Sequence, residues 1–459
     1  MRRIDVHQLA DEAKFGRFHL GVLLWCALII IFDGYDLAVV GIALPSIMKD
    51  LQVDPTRAGF MVSAALFGMV FGAIFLGTVA DHIGRRLTIA ICIALFSVFT
   101  AAAGMTSDPL VFALMRFLAG LGIGGVMPNV VAQMTEYAPK RMRATLVTLM
   151  FSGYAVGGII AALLGKGLIE TYGWQSVFLA AALPVLLIPA VMKSLPESMP
   201  FLIARGRTAE LQRIARALDP RHRPEETDVF TLSAQDKPNG APIRLLFQEG
   251  RGFSTLMFWV AFFMCLFMVY ALSSWLTKLM AGAGYGLGSA LTFVLVLNVG
   301  AVIGAVSGGW LADRFHIKAV LPAMFALAAV SITLLGFKMP IEAMYVVVGL
   351  AGASTIGTQI VANAYAGQFY PLAIRGAGLG WALGIGRSGA ILAPIVIGVL
   401  VSMSLPLQQN FIAMAIPAVI GMVAVLMIDH RRSASASASH MPSARVPVGD
   451  AVAAPPHRY

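Results

Sequence analysis

The chain has 459 residues, of which 58% are hydrophobic and 12% are charged, and its mean hydropathy is +0.82. Soluble domains carry about 25% charged residues, so this composition excludes a soluble globular protein and indicates a membrane protein. The net charge of +10 comes from basic residues in short loops between apolar stretches, which argues against nucleic acid as a partner.

Twelve apolar stretches, taken in chain order, are long enough to cross a bilayer as α-helices, which takes about 20 residues each. The first follows 19 mostly polar residues and lacks a small-residue cleavage site, so we expect a span rather than a cleavable signal peptide. The predicted fold class is an all-α membrane protein. We predict spans 1 to 12 at residues 20–45, 57–80, 88–105, 109–131, 144–166, 176–195, 254–278, 289–311, 319–337, 342–364, 376–402 and 408–429.

The distribution of Lys and Arg predicts the orientation. If both termini are cytoplasmic, 26 of the 33 basic residues lie on the cytoplasmic side and five lie in the outer loops. Positive charge is retained in the cytoplasm. We therefore predict cytoplasmic termini and a bacterial-type inner membrane.

A long polar segment divides the spans six and six. We predict an amino-terminal tail (1–19), a first six-helix bundle (20–195), a central cytoplasmic loop (196–252), a second bundle (253–430) and a disordered tail (431–459). The central loop contains a predicted helix from Thr208 to Leu218. The tail is rich in Ser, Ala and Pro, a composition that does not form a packed core.

The two halves repeat one another at an offset of 232 residues. Gly77-Thr-Val-Ala-Asp81 matches Gly309-Trp-Leu-Ala-Asp313, and Tyr137-Ala-Pro139 through Arg143 matches Phe369-Tyr-Pro371 through Arg375. Duplicated six-helix halves are typical of secondary transporters, whose binding site lies between the halves near the midplane. The same offset relates four glycine pairs, Gly68/Gly300, Gly72/Gly304, Gly120/Gly352 and Gly157/Gly389.

Four charged residues stand out inside the spans, Asp33, Asp36, Arg116 and Arg387, and none of them has a charged counterpart at the 232-residue offset. Each costs roughly 2.5–3.5 kcal/mol at a helix centre, so such residues are rarely idle. Asp33 lies about 20 Å into span 1, near the midplane. Two carboxylates that share a helix face in low dielectric favour proton uptake at one of them, and Arg can hold a carboxylate bidentately.

We therefore interpret Asp33 and Asp36 as the proton-coupling pair and Arg387, with Arg116, as anchors for a substrate carboxylate. The alternative is a permanent Asp–Arg ion pair that only ties helices together. Aromatic side chains near these charges could enclose a flat ring, although most membrane aromatics only pack or anchor at the interface. These candidates are Tyr35, Tyr154, Tyr270, Trp275, Tyr365 and Trp381, of which Tyr35, Tyr154 and Trp381 are the predicted substrate contacts.

Five motifs carry a resemblance. The loop Gly77-Thr-Val-Ala-Asp81-His-Ile-Gly84-Arg85-Arg86 resembles the loop 2–3 signature of the major facilitator superfamily, and Arg116 through Gly125 resembles its helix 4 motif. Leu195-Pro-Glu-Ser198 resembles the common end of helix 6. Asp33-Gly-Tyr-Asp36-Leu37 and Gly384 through Ile391 resemble helices 1 and 11 of the aromatic acid:proton symporter family, most of all its benzoate transporters.

This resemblance implies two pseudo-symmetric six-helix bundles, a monomer, no cofactor or metal beyond the coupled proton, and uptake of benzoate, a hydroxybenzoate or a related acid. It assigns transport roles to Asp33, Asp36, Asp81, Arg116 and Arg387. It also implies a cytoplasmic gate of ion pairs and helix-end contacts that closes the inner side. Its expected residues are Gly77, Asp81, Gly84, Arg85, Arg86, Glu136, Arg143, Asp313, Arg314 and Arg375.

Two other functions stay open at this point. One is a proton-antiporting exporter of drugs or aromatic acids on the same fold, and the other is a membrane sensor of aromatic acids. The span 1 signature argues against the exporter, and the sequence shows no signalling domain. No nucleotide loop, metal cluster or catalytic triad points to an enzyme.

Overall fold

A computed structural model describes residues 3–219, 228–231 and 243–433. In this part of the chain twelve helical spans are long and apolar enough to cross a membrane, which confirms the predicted fold class. Spans 5 and 6 are each broken into shorter helices. The spans are Arg17–Asp50, Pro55–Ile83, Arg85–Ala103, Pro109–Tyr137, Arg143–Phe151 with Gly153–Tyr172, Gln175–Ala180 with Leu183–Leu187 and Ile188–Ser194, Gly252–Gly282, Leu287–Arg314, Ile317–Leu334, Ile341–Phe369, Leu372–Ser402 and Leu407–Leu426.

Local signals explain where several spans begin. Pro55 and Pro109 occupy first helical positions, where the missing N–H costs no hydrogen bond. Asp108 caps span 4 by accepting hydrogen bonds from the N–H groups of Leu110 (2.7 Å) and Val111 (3.1 Å). Because an even number of spans returns the chain to its starting side, both described ends lie on one face. We call this the terminal face, and the other the opposite face.

Small elements cover the terminal face. Strand β1 (Arg3–Asp5) pairs in parallel with β2 (Val229–Thr231) from the central loop. Short helices follow at Val6–Glu12 and Met199–Ala204, with 3-10 turns at Ile243–Phe247 and His430–Arg432. The helix predicted in the central loop is present at Thr208–Leu218, and its apolar side chains are buried. The predicted disordered tail begins at residue 431. Its first residues belong to the turn His430–Arg432, and residues 434–459 lie outside the described residues.

The internal repeat has a structural counterpart in backbone contact. A Cβ on Gly68 would lie 2.1 Å from the carbonyl oxygen of Phe117, and a Cβ on Gly300 would lie 2.1 Å from that of Gly349. Spans 2 and 4 therefore touch in the same register as spans 8 and 10, since these contacts differ by the 232-residue offset. Only glycine allows so close an approach between helices. Each half is thus a copy of one helix packing scheme.

The two halves meet at the opposite face. Spans 2 and 11 touch where a Cβ on Gly59 would lie 2.4 Å from the carbonyl oxygen of Pro394. Trp275 Nε1 donates to the same oxygen (3.1 Å), and Ser63 Oγ donates to the carbonyl oxygen of Ile391 (2.7 Å). The contacts of Gly59 and Ser63 join the first half to the second, and the Trp275 hydrogen bond lies within the second half beside them. We call the junction between the halves the seam. The opposite face is therefore closed.

The seam is open toward the terminal face. Gly376, Gly380 and Gly384 precede Arg387 at helical spacing on span 11, so they share its face. A Cβ on any of the three would meet no atom of another element within 4 Å. Gly77 of span 2 has the same free space. We call this unfilled strip of span 11, which runs from its terminal-face end toward Arg387, the glycine path.

Candidate functional site

Close packing of spans 1 and 5 positions a tyrosine over a buried carboxylate. A Cβ on Gly34 would lie 2.5 Å from the carbonyl oxygen of Tyr154, and one on Gly157 would lie 2.2 Å from that of Ile31. At this separation the Tyr154 hydroxyl donates a hydrogen bond to Oδ2 of Asp33. The glycines of the span 1 motif and of the repeat therefore set the geometry of the site.

Asp33 is fully buried, and its second oxygen, Oδ1, has no hydrogen-bond partner among the described residues. Its charge interacts with that of Arg387 and with the Tyr270 hydroxyl. Asp33 and Tyr154 belong to the first half, whereas Tyr270 and Arg387 belong to the second. The cluster thus spans the seam between the halves, at mid-depth in both bundles.

Arg387 is a half-buried cation at the end of the glycine path. Its Nη2 lies 3.7 Å from the sulfur of Met127 on span 4. Among the described residues no carboxylate lies within ion-pair distance of it, although Asp33 acts on it at longer range. A buried guanidinium without a close anion can receive one, and its planar fork matches a carboxylate.

Asp36 has a different environment from Asp33. Nη1 of Arg116 lies 3.0 Å from Oδ2 and 3.2 Å from Oδ1 of Asp36, and Nη2 donates to the Asp36 carbonyl oxygen (3.2 Å). Nη1 also donates to Oγ1 of Thr100 (2.7 Å). Both members of the pair are 1% exposed. In this structure the pair is the ion-pair alternative raised by the sequence, and Arg116 does not reach the site around Asp33.

The three aromatic residues predicted to contact the substrate also lie in different environments. Tyr154 lies at Asp33, and its ring stacks on Phe151 with centroids 6.3 Å apart. Tyr35 instead donates to the carbonyl oxygen of Val177 (2.6 Å) within the first half. Trp381 lies 6.0 Å from the ring of Trp259 and is half exposed. Here the structure brings Tyr154, and neither Tyr35 nor Trp381, to the Asp33 cluster.

The expected gate residues of the loop between spans 2 and 3 form contacts inside the first half. Arg85 pairs with Glu136, and Arg86 Nε lies 3.9 Å from Oε2 of Glu197. Oε1 of Glu197 accepts hydrogen bonds from the N–H groups of Arg85 (2.7 Å) and Arg86 (3.0 Å), which caps span 3. Gly84 has φ +95° and leaves the space that Glu197 fills.

The remaining gate residues belong to helix ends at the terminal face, and those with described side chains form no ion pair with one another. Arg143 pairs with Asp11 of the amino-terminal segment, and Arg314 lies 5.3 Å from the ring of Trp310. Asp81 is exposed. Arg375 is half-buried, and its Nε has no partner among the described residues. The side chain of Asp313 lies outside the described residues.

Sequence reasoning missed two contributors and underrated a third. Glu197 appeared only as part of a helix-end motif, yet it caps span 3 across 112 residues of sequence. Met127 sits beside the Gly-rich run of span 4, and its sulfur contacts Arg387. Tyr270 was one of six aromatic candidates. A signal for Met127 was its place two residues after that run, where small residues let helices approach.

The comparisons with known proteins show the family of the chain. The sequence model of the Major Facilitator Superfamily matches residues 26–317 and 297–453. Over 437 residues the chain is 47% identical to the benzoate transport protein of Acinetobacter baylyi, covering 94% of each chain. It is 35% identical to the gallate transporter of Pseudomonas putida, covering 94% of this chain and 96% of that relative.

A solved structure supports the fold independently. The crystal structure of a bacterial homolog to the human lysosomal transporter Spinster, in an inward-facing and unoccupied conformation, gives a TM-score of 0.72 at 16% identity. The match covers 92% of this chain and 98% of that chain. At this identity the likeness concerns the arrangement of the helices and not the ligand.

Proposed function

The chain belongs to the major facilitator superfamily, among its aromatic acid transporters, and from that premise we propose that it carries a small aromatic carboxylate into the cell together with protons. It is a multi-pass protein of the bacterial inner membrane and a transporter rather than an enzyme. The relatives named above make benzoate or a hydroxybenzoate the proposed substrate.

One observation carries this proposal: among the described residues, a buried carboxylate with one unpartnered oxygen shares the seam with an arginine that has no close anion. Asp33 offers a place for a proton, and Arg387 offers a place for a carboxylate. Tyr154 and Tyr270 lie within electrostatic reach of both charges, and their rings offer aromatic surface for a flat ring. Asp36 is satisfied by Arg116, so we assign proton binding to Asp33 and a positioning role to Asp36.

The charges suggest how binding of the proton and the acid would allow the protein to change conformation. A proton on Asp33 and an anion on Arg387 neutralise the two unpaired charges of the seam. Moving neutral groups through low dielectric costs far less than moving ions, so the loaded protein changes state more readily than the half-loaded one. Inward proton flow would then drive accumulation of the acid.

The site between the halves would be accessible from one face of the membrane and then from the other. We place the terminal face in the cytoplasm because the basic residues of the tails and even-numbered loops lie there. In this structure the path to Arg387 is open on that face. Closing it would bring Asp81 of the first half toward Arg375 of the second, while the contacts of Gly59 and Trp275 separate.

Uptake into energised, right-side-out membrane vesicles tests the function. We expect radiolabelled benzoate to accumulate in vesicles containing the protein beyond the level in vesicles lacking it, and an uncoupler to abolish the difference. The vesicles lacking the protein correct for diffusion of the neutral acid. Faster loss of benzoate from preloaded vesicles on energisation would instead establish the exporter, and no difference from protein-free vesicles would refute aromatic acid transport.

A further inference from the structure

A crevice of about 600 Å³ opens on the terminal face of the second half, distant along the fold from the Asp33 cluster. Its walls come from the ends of spans 8, 9, 10 and 12 and from the turn after span 12. Three side chains that can carry positive charge line it, His316, Lys318 and His430. None of them contributes to the transport site described above.

The crevice carries the positive charge of Lys318 and contains unsatisfied polar atoms. Burial, followed by the nearby charges of Lys318 and His316, lowers the pKa of His430. The acid that acts on His430 in the other direction, Asp429, already accepts a hydrogen bond from Nε of Arg432 (3.1 Å). Nδ1 of His430 is buried without a hydrogen-bond partner among the described residues.

A tyrosine beside His430 is unsatisfied as well. Tyr365 is 0% exposed, and its hydroxyl has no partner among the described residues. Its ring lies 5.7 Å from that of His430. Buried polar groups are normally hydrogen-bonded. The neighbouring Tyr365 hydroxyl and His430 Nδ1 therefore indicate that a polar ligand binds here and supplies the missing hydrogen bonds.

An apolar track leaves the crevice along span 12. Leu426 lines the crevice and is 55% exposed, and Val423, Val419 and Ile416 follow it at helical spacing, each between 45% and 51% exposed. Phe315, on the other wall, is also 55% exposed. These side chains form a continuous apolar surface within the depth of the bilayer. A small soluble anion has no apolar part that would contact this surface, whereas the acyl chain of a lipid would lie along it.

We propose that this crevice binds an anionic phospholipid, with its phosphate at Lys318 and His430 and an acyl chain along span 12. Basic pockets between membrane helices at the cytoplasmic side are suited to such headgroups. The site is separate from the transported substrate and does not depend on its identity. Binding there would fasten spans 8, 9, 10 and 12 at the end that must move when the seam closes.

Native mass spectrometry of the purified full-length protein tests the proposal. In a non-denaturing detergent, phosphatidylglycerol and phosphatidylcholine with the same acyl chains are titrated separately, and the bound lipid is counted. We expect tighter retention of phosphatidylglycerol and about fivefold weaker binding in Lys318→Gln. The matched control is Lys338→Gln, which removes the same charge from an exposed residue beyond the other end of span 9 and should leave retention unchanged.

Three results would overturn the proposal: equal retention of the two lipids, equal binding by Lys318→Gln and Lys338→Gln, or displacement of phosphatidylglycerol by inorganic phosphate at a similar concentration. The last result would indicate a site for a free anion. His430→Gln provides a second variant in case Lys318→Gln does not fold. Thermal unfolding of both variants in detergent, compared with the unchanged protein, identifies a folding defect.

Discussion

The Tyr154 hydroxyl donates a hydrogen bond to one oxygen of Asp33, while the other oxygen of that carboxylate has no partner among the described residues. This half-satisfied carboxylate is buried at the seam between two bundles and lies within electrostatic reach of Arg387. An unsatisfied buried oxygen is costly, and protonation is one way to relieve that cost. The relationship therefore makes Asp33, rather than Asp36, the residue whose loss should uncouple transport.

Replacing Asp33 by Asn keeps the size of the side chain and removes the site for a proton. We predict that Asp33→Asn no longer accumulates benzoate against a gradient in energised vesicles but still exchanges internal for external benzoate. Exchange needs binding and movement without net proton transfer, so it should survive. Accumulation by Asp33→Asn at the level of the unchanged protein would contradict the assignment.

Tyr154→Phe is the matched change at the partner residue. It removes one hydrogen bond to Asp33 and keeps the ring that stacks on Phe151. We predict slower but still uncoupler-sensitive accumulation, measured in the same vesicles. Complete loss of coupling would show that the tyrosine itself carries the proton.

The buried pair of Arg116 and Asp36 should matter for stability. Removing one member leaves the other charged and uncompensated, which costs roughly 3–5 kcal/mol. We predict that Arg116→Ala lowers the free energy of unfolding by about this amount, measured by denaturation of the purified protein in detergent. Arg57→Ala is the control, because Arg57 pairs with Asp54 in an exposed position and should have no measurable effect.

The double variant Asp36→Asn with Arg116→Gln distinguishes loss of the ion pair from the effect of leaving one charge unpaired. It removes both charges and keeps hydrogen-bonding side chains, so we expect it to recover part of the stability lost in Arg116→Ala. A double variant less stable than the single one would mean that Arg116 and Asp36 do not act as a pair.

Much of the fold was predictable because it depends on local composition and on the repeat. The spans are long apolar stretches, and the 232-residue offset between glycines corresponds to equivalent helix contacts at Gly68 and Gly300. The predicted helix Thr208–Leu218 is present, and its buried apolar residues recur at helical spacing. The strand pair Arg3–Asp5 with Val229–Thr231 was not predicted, since three residues carry too little pattern to identify a strand.

The sequence identified the charged residues inside the spans, but not which of them lie together. A charge within a span indicates a functional or paired residue, and this drew attention to Asp33, Asp36, Arg116 and Arg387. Sequence spacing places Asp33 and Asp36 on one helix face, yet neighbouring helices decide which carboxylate meets an arginine. Tyr35 illustrates the same limit, because its direction toward Val177 depends on where span 6 packs.

Gly84 should be intolerant of any side chain. Its φ of +95° and ψ of 150° lie in a region essentially restricted to glycine, and a Cβ would lie 2.7 Å from Oε2 of Glu197. We predict that Gly84→Ala destabilises the protein by roughly 1–3 kcal/mol and weakens the cap of span 3, as measured by thermal unfolding in detergent.

Gly206→Ala is the control for that change. Gly206 has φ +65°, but a Cβ there would meet no atom within 4 Å, so it tests backbone strain without a clash. Gly84→Ala should be clearly the less stable of the two. Equal stability would show that Glu197 moves aside and that the cap contributes little.

Closure of the opposite face should depend on Gly59. A larger side chain would collide with the carbonyl oxygen of Pro394, so Gly59→Val should favour the state in which that face is open and the terminal face is closed. A cysteine placed at Gly380 would report this change through slower reaction with a membrane-impermeant maleimide applied from the terminal face. The three native cysteines are buried and should not react.

Gly21→Val is the control for this labelling experiment, because a Cβ on Gly21 would meet no atom of the described residues within 4 Å. We expect the cysteine at Gly380 to react at its original rate in this variant. Equal labelling in the Gly59→Val and Gly21→Val backgrounds would argue against the opposite-face contacts as the determinant of the open path.

The most direct measurement is proton movement driven by the substrate in proteoliposomes without an imposed gradient. Benzoate is added outside, the external pH is recorded, and the change in protein-free liposomes is subtracted. The account predicts that the medium becomes more alkaline with the unchanged protein and that this signal is lost in Asp33→Asn. External acidification, or an equal alkaline signal from Asp33→Asn, would contradict proton-coupled uptake through Asp33.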